Sequence, residues 1–319
     1  MTPESIPIEP VDQAEIVILV DNYADVLLGG SEEVSRTPVA SQDGRIFADT
    51  LLAEHGLSMR IRTLREGKTR EILFDAGYSP VALPHNLDVL GLSLDAVEAI
   101  VLSHGHMDHT GALNAVLGRI PGSVPLVLHP DALLANRYLV LPDGARQIFP
   151  RTLDRLDLEG KGAVIQETAS PTALAGGTVL VTGQVPRTTP YEQGMAGAYL
   201  DRDGREEKDD ILDDQSLVLN VRGKGLVVVG GCSHAGIVNT VRYAVELAGE
   251  ENVHAVLGGF HLAGDRSGEL TEKTIEGLKA FQPAFLMPMH CTGWKAVHRI
   301  AQAFPSAFAL SAVGTTVTF

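Results

Sequence analysis

Short apolar runs broken by turn residues fill the first eighty positions. Ile16 to Val20 is β-branched and stops at the turn pair Asp21-Asn22, which predicts a strand. Ser58 to Thr63 alternates apolar and polar side chains, and Arg70 to Phe74 follows, ending at Asp75-Ala76-Gly77. Two antiparallel strands joined by a turn are expected there. From Pro80 the period lengthens. Pro80 to Leu90, closed by Gly91, has helical spacing, Ser93 to Glu98 reads as a second helix start, and Ala99 to Leu102 is an apolar run of strand length.

Further strands are predicted at Val124 to Leu128 and Val179 to Val181, and a hairpin at Leu217 to Val221 and Leu226 to Val229 around Gly223-Lys224-Gly225. Gly236 to Ala248 places apolar residues near helical spacing and stops at Gly249. Ala255 to Leu257 and Phe285 to Met287 bracket a predicted helix, Leu270 to Phe281. An internal echo accompanies this alternation: Ile100 to Gly111 and Leu226 to Val241 each run strand, His-bearing loop, helix, as a duplicated α/β unit would. Gln184 to Asp214 has little periodicity and a charged cluster from Asp201 to Asp210; residues 184–214 are expected to be a surface insertion or lid on one domain spanning 1–319, the charges being a solvated face.

Composition narrows the function classes. Twenty-five Lys+Arg against 40 Asp+Glu leave a net charge of −15, a field that repels nucleic acid. Cys232 and Cys291 are the only two cysteines, too few for a disulfide framework, so a reducing, cytoplasmic setting is expected. Met1 to Gln13 is acidic and Pro-rich, unlike a secretory signal, and no apolar run approaches the roughly 20 residues that span a bilayer. A soluble enzyme for a small-molecule substrate fits these bounds, with no membrane and no nucleic-acid partner; the oligomeric state is left open. Neither a P-loop nor a dinucleotide fingerprint occurs.

The sharpest chemical signal is Ser103-His104-Gly105-His106-Met107-Asp108-His109-Thr110-Gly111, directly after an apolar strand. Leaving a strand end, His104 and His106 can reach one centre while Asp108 and His109 reach a neighbouring one, which is ligand chemistry for zinc or a similar divalent ion. His129, His234, His261 and His290 also end or follow apolar runs, where ligands gather in open α/β sheets. Cys232 is either a thiolate ligand or a small buried apolar residue, and Cys291 shares that ambiguity. Arg137 and Arg187 are candidates for a substrate phosphate. His55, between Glu54 and Gly56, reads as a turn residue leading into a strand.

The pattern His104, His106, Asp108, His109 resembles the His-x-His-x-Asp-His hallmark of the metallo-β-lactamase superfamily. The resemblance extends over nearly the whole chain. It implies an α/β fold, the four-layered αββα sandwich, with a metal centre, usually dinuclear, at one edge of the paired sheets. Asp75 in Leu73-Phe74-Asp75-Ala76-Gly77 looks like the early aspartate that buttresses the metal loop. Closer likeness is to a subgroup of dihydropterin ribofuranosyl-aminobenzene phosphate synthases, through Asp21-Asn22, Glu54 to Ser58, the metal loop, Gly231 to Gly236, Gly258 to Leu262 and Pro288 to Gly293. That match adds His55 to the candidates.

The chain departs from the wider superfamily in lacking its His-Thr-Pro-Gly-like block and its later bridging aspartate. Asp213-Asp214-Gln215-Ser216 and Cys232 stand near those places. The implied ligands are His104, His106 and His234 for one ion and Asp108, His109 and His290 for the other, zinc first with manganese or iron as alternatives, and a bridging group unassigned. His261 and Arg187 are expected near the substrate. Hydrolysis of a small phosphoester or ester is the first expectation: ions lower the pKa of bound water toward ~7, and Asp108 orients that water or accepts its proton. A dihydropterin-transferring synthase that releases pyrophosphate, and a non-catalytic metal-binding sensor, are the alternatives.

Overall fold

A computed structural model describes residues 6–264 and 267–319. Part of the Pro-rich Met1 to Gln13 segment, residues 1–5, lies outside the described residues. An eight-stranded sheet carries, in order, Val34–Ser35, Thr316–Thr318, Gln13–Val20, Ser58–Arg65, Lys68–Phe74, Val97–Val101, Val124–Leu128 and Ala163–Glu167. A six-stranded sheet carries Thr172–Leu174, Val179–Val181, Leu217–Val221, Gly225–Val229, Val253–Gly259 and Phe285–Met289. In each, an antiparallel hairpin passes into parallel strands: Ser58–Arg65 with Lys68–Phe74 in the first, Leu217–Val221 with Gly225–Val229 in the second.

Alternation along the strands sorts side chains to two faces. Ile16, Ile18, Met59, Ile61, Ile72 and Phe74 meet Val181, Leu219, Val227, Leu257 and Met287 in one core between the sheets. The opposite face of the first sheet, with Leu19, Leu73, Ile100 and Leu126, is covered by Leu83 and Leu87 of the helix Ala82–Leu90 and by Leu113 and Val116 of the helix Leu113–Leu117. The opposite face of the second sheet packs on the helices Ile237–Ala248, Ser267–Lys279 and Trp294–Ala303 through Ile237, Val241, Ala244, Ile275, Leu278 and Ile300. The layers are therefore helix, sheet, sheet, helix, as the resemblance implies.

Most predicted elements stand within a few residues of their expected bounds. Ser93 to Glu98 does not start a helix: the Ser93 hydroxyl accepts from the Asp95 N–H in a local turn, and the strand already begins at Val97. A serine that mimics a helix cap also closes such turns. Within residues 184–214, Ala198–Arg202 and Arg205–Lys208 form a hairpin that joins a second hairpin, Arg137–Val140 and Arg146–Ile148, in a separate four-stranded sheet. Arg205–Lys208 and Arg146–Ile148 are exposed throughout and so carry no buried-face alternation. Among the described residues, no helix is long and apolar enough to cross a membrane.

Candidate metal centre

Five strands of the two large sheets end at one edge, and the residue or loop after each supplies polar groups. Asp75 follows Lys68–Phe74, the segment Ser103 to His109 follows Val97–Val101, Cys232 and His234 follow Gly225–Val229, His261 follows Val253–Gly259, and His290 follows Phe285–Met289. Asp75, Ser233, His261 and His290 all have positive φ (61°, 55°, 44° and 50°), a left-handed backbone that non-glycine residues seldom adopt. Such strain persists only where surrounding structure enforces it, and it concentrates at functional sites. Glycine is required at position 231, where a Cβ would lie 2.1 Å from Ser103 Oγ.

His104, His106, Asp108, His109, His234 and His290 are all buried and adjacent. The Nε2 atoms of His104 and His234 lie 3.2 Å apart, as do those of His109 and His290. Asp108 Oδ2 lies 3.2 Å from His290 Nε2 and 3.8 Å from His109 Nε2. The His106 ring centroid is 4.5 Å from that of His104 and 5.0 Å from that of His234, and its Nε2 is buried without a partner. Cys232 Sγ lies 3.2 Å from His109 Nε2. Two groups of converging donors result, Asp108, His109, Cys232 and His290 in one, His104, Cys232 and His234 in the other. Both fit a divalent cation: their atoms are imidazole nitrogens, a carboxylate oxygen and a sulfur, and beside them the buried Nε2 of His106 has no hydrogen-bond partner.

For four of the five clustered rings the electrostatics agree with that fit. Burial drives His104 and His234 well below 6.5, with neighbouring imidazoles adding to the effect. Burial, helped by the Arg137 charge, lowers His106 to about 3, and burial lowers His290 to about 4 despite Asp108. These four rings are neutral at pH 7 and free to donate lone pairs. Burial would also lower His109, but the carboxylates of Asp75 and Asp108 overcome it and lift the ring to about 9. Asp108 is itself held far into its ionised range, since His109 and His290 outweigh the effect of burial.

A second ring of contacts aims these groups. Asp75 Oδ2 lies 2.6 Å from His109 Nδ1, and Ser103 donates to the same carboxylate through its hydroxyl (2.7 Å) while its N–H donates to Oδ1. Asn22 Oδ1 is 3.3 Å from His290 Nδ1, and Asp21 Oδ1 accepts the His290 N–H. The block Asp213-Asp214-Gln215-Ser216 ties the two metal loops together: Asp213 accepts from Gly105, Asp214 from Ala235, and the Gln215 N–H donates to Ser103 O. Ser103, Asn22, Asp214 and Gln215 stand inside blocks that the sequence marks, but without an individual site role, which the structure supplies through these contacts.

His55 and His261 stand at the rim. The exposed His55 ring stacks on His290 with centroids 4.9 Å apart, its Nε2 3.6 Å from Asp108 Oδ2, and His261 lies 4.3 Å from His234, centroid to centroid. Arg187 is half-buried, donates to the Asp210 carbonyl and leaves Nε without a partner. Arg137 is not placed to meet substrate phosphate. It is 4% exposed, bidentate to Asp213 and 3.0 Å from Asp209, so its charge is already answered. His129 is also apart from the donor groups, its Nδ1 accepting from the Asp131 N–H in a short turn of helix. A cavity of about 1100 Å³ opens beneath residues 24–51 and is lined by Glu15, Phe47, Arg60 and Arg62, but by none of the clustered groups.

Comparison with known proteins gives a consistent picture. The family model described as the metallo-beta-lactamase superfamily matches residues 55–188. The chain is 34% identical over 254 residues to MJ0448 of Methanocaldococcus jannaschii, an uncharacterized protein, covering 78% of this chain and 88% of that one. It is 30% identical over 273 residues to the same organism's 7,8-dihydropterin-6-methyl-4-(beta-D-ribofuranosyl)-aminobenzene-5'-phosphate synthase, covering 84% and 90%. Among solved structures, Tm1679, described as a metal-dependent hydrolase of the beta-lactamase superfamily, superposes with a TM-score of 0.72 at 23% identity over 95% of this chain and 98% of that one.

Proposed function

Because the chain belongs to the metallo-β-lactamase superfamily, we propose that it is a metal-dependent hydrolase of a small phosphoester or carboxylic ester. In this reading His104, His106 and His234 hold one divalent ion and Asp108, His109 and His290 the other, with zinc the first choice and manganese or iron the alternatives. The carrying observation is the facing Nε2 pairs, 3.2 Å apart, in which His104, His109 and His290 have their Nδ1 sides already occupied by Ser103, Asp75 and Asn22. Engaging Nδ1 turns the Nε2 lone pair inward, the arrangement that metal-ligating imidazoles adopt.

Divalent ions held there supply Lewis acidity, polarising a substrate oxygen and lowering the pKa of coordinated water toward ~7. The chain's own groups do the rest. Asp108, held ionised by His109 and His290, orients the attacking water through Oδ2. Asp75 and Ser103 keep the His104 and His109 rings aimed. His55, His261 and Arg187 meet the substrate, and residues 184–214 border its approach.

The 30%-identical relative is named as a dihydropterin-methyl-ribofuranosyl-aminobenzene phosphate synthase, which favours a second reading of this chain as a dihydropterin-transferring synthase that releases pyrophosphate. Elemental analysis of protein purified without added metal comes first. Turnover of phosphoesters, esters and dihydropterin pyrophosphate is then measured with and without an aromatic acceptor. Hydrolysis releases product in the absence of acceptor. Release that requires the acceptor replaces the hydrolase with the synthase, and metal-free protein that takes up no ion removes both.

A further inference from the structure

The two donor groups are not independent, because Cys232 belongs to both. Its Sγ lies 3.2 Å from His109 Nε2, and the atoms it offers with His104 and His234 also lie within 4.8 Å of one another. This is not the setting of a cysteine that merely packs. A packing thiol touches apolar side chains, whereas this one sits between imidazoles with Asp108 alongside. The loop that carries it comes from the second sheet and lies against the loop that leaves the first: a Cβ at Gly231 would lie 2.1 Å from Ser103 Oγ. An independent sign of a missing cation lies among the same imidazoles: His106, 7% exposed and with its ring 4.5 Å from that of His104, leaves its buried Nε2 without a partner.

We infer that Cys232 is a shared thiolate, one sulfur bound to both ions of the centre, in the place where a bridging aspartate was expected. This rests on the metal-centre reading above. On binding, the S–H bond breaks, the proton leaves to solvent, and the sulfur lone pairs form two S–metal bonds. A thiolate in that position is soft and favours zinc, cobalt or ferrous iron over manganese or magnesium. The centre is thereby selective through a single atom. Cys291, whose Sγ points to the Cys232 carbonyl at 3.5 Å, is a neighbour rather than a ligand.

The test is cobalt(II) titration of the metal-free full-length protein, read as thiolate-to-cobalt charge-transfer absorption in the near ultraviolet, with bound cobalt counted by elemental analysis. The shared thiolate predicts a band that grows through the first and the second equivalent, disappears in Cys232→Ser, and survives in Cys291→Ser. Cys232→Asp, which offers a carboxylate bridge, is expected to keep two cobalt ions without the band. Saturation of the band at the first equivalent while a second ion still binds makes Cys232 a terminal ligand and overturns the proposal. Two ions bound with no band overturns it as well but leaves the metal centre standing. No cobalt bound at all refutes the proposal and the metal reading together.

Discussion

Replacing Arg137 tests whether the metal loop is held by a buried charge cluster. Its guanidinium binds Asp213 through both carboxylate oxygens (3.0 and 2.6 Å), with Asp209 3.0 Å from Nε at an angle too bent for a hydrogen bond. Asp213 Oδ2 simultaneously accepts from the N–H of Gly105, inside the His104 to His106 turn. Arginine and aspartate side chains here are 4% and 0% exposed, so solvent does not screen them. Arg137→Met strands two buried carboxylates, a loss of about 3–5 kcal/mol. With an unfolding entropy of about 2.1 cal/mol/K per residue, Tm falls by roughly 4–8 °C. Asp213→Asn in the same chain removes one stranded charge but keeps an acceptor for Gly105, and should recover at least about 1 kcal/mol. Denaturant midpoints of the two single variants and the double variant measure this. A loss below about 1 kcal/mol in Arg137→Met, or a double variant showing the full sum of the single losses, would refute the reasoning.

Three further expectations follow from the same geometry. Asp75→Asn removes the carboxylate that holds His109 Nδ1 and Ser103, and metal affinity should drop about 10–100-fold, read by competition with a chromogenic chelator; unchanged affinity would deny Asp75 its orienting role. His104→Ala and His234→Ala should each lower the metal content of purified protein, and a content unaffected by His234→Ala moves that residue out of the coordination sphere. For metal-free protein, His106 and His290 are depressed to about 3 and 4 from 6.5, so their contribution is present above 6.5 and is lost as the pH falls toward those values. Each costs up to about 1.4 kcal/mol per pH unit. His109, raised to about 9, has the opposite sign and contributes below 6.5, losing that contribution as the pH rises through 9. Equilibrium unfolding of the chelated protein between about pH 6.5 and pH 5 should show stability falling on acidification, and a flat profile there contradicts the neutral imidazoles.

What could be read from the sequence followed physical simplicity. Buried strands with one apolar face, such as Ile16 to Val20 and Val124 to Leu128, announce themselves because packing constrains every second residue. The His104 to His109 spacing was equally plain, since four ligand-type side chains in a short loop have few other uses. Less legible were positions whose role exists only between distant segments. Asp213 is an unremarkable acid until Gly105 and Arg137 meet it, and Ser103 is a polar strand-end residue until Asp75 turns toward it. The small four-stranded sheet was invisible for the opposite reason: its outer strands bury nothing, so no pattern marked them. Arg137 looked like a free cation because sequence separation hides its partners Asp209 and Asp213, the latter 76 residues away.

Each donor group also draws on both halves of the sandwich. His104 and His106 leave the eight-stranded sheet and His234 the six-stranded one; Asp108 and His109 come from the first and His290 from the second. An ion bound there would act as a rivet through the seam between two layers that otherwise adhere by apolar packing and a few hydrogen bonds such as that from Gln215 to the Ser103 carbonyl. Loading the protein is then inseparable from closing it. Volume lost deep in the seam, for instance by Phe74→Ala or Leu257→Ala, would register as weakened ion affinity at the edge, and a chelator would loosen hydrophobic packing it never touches.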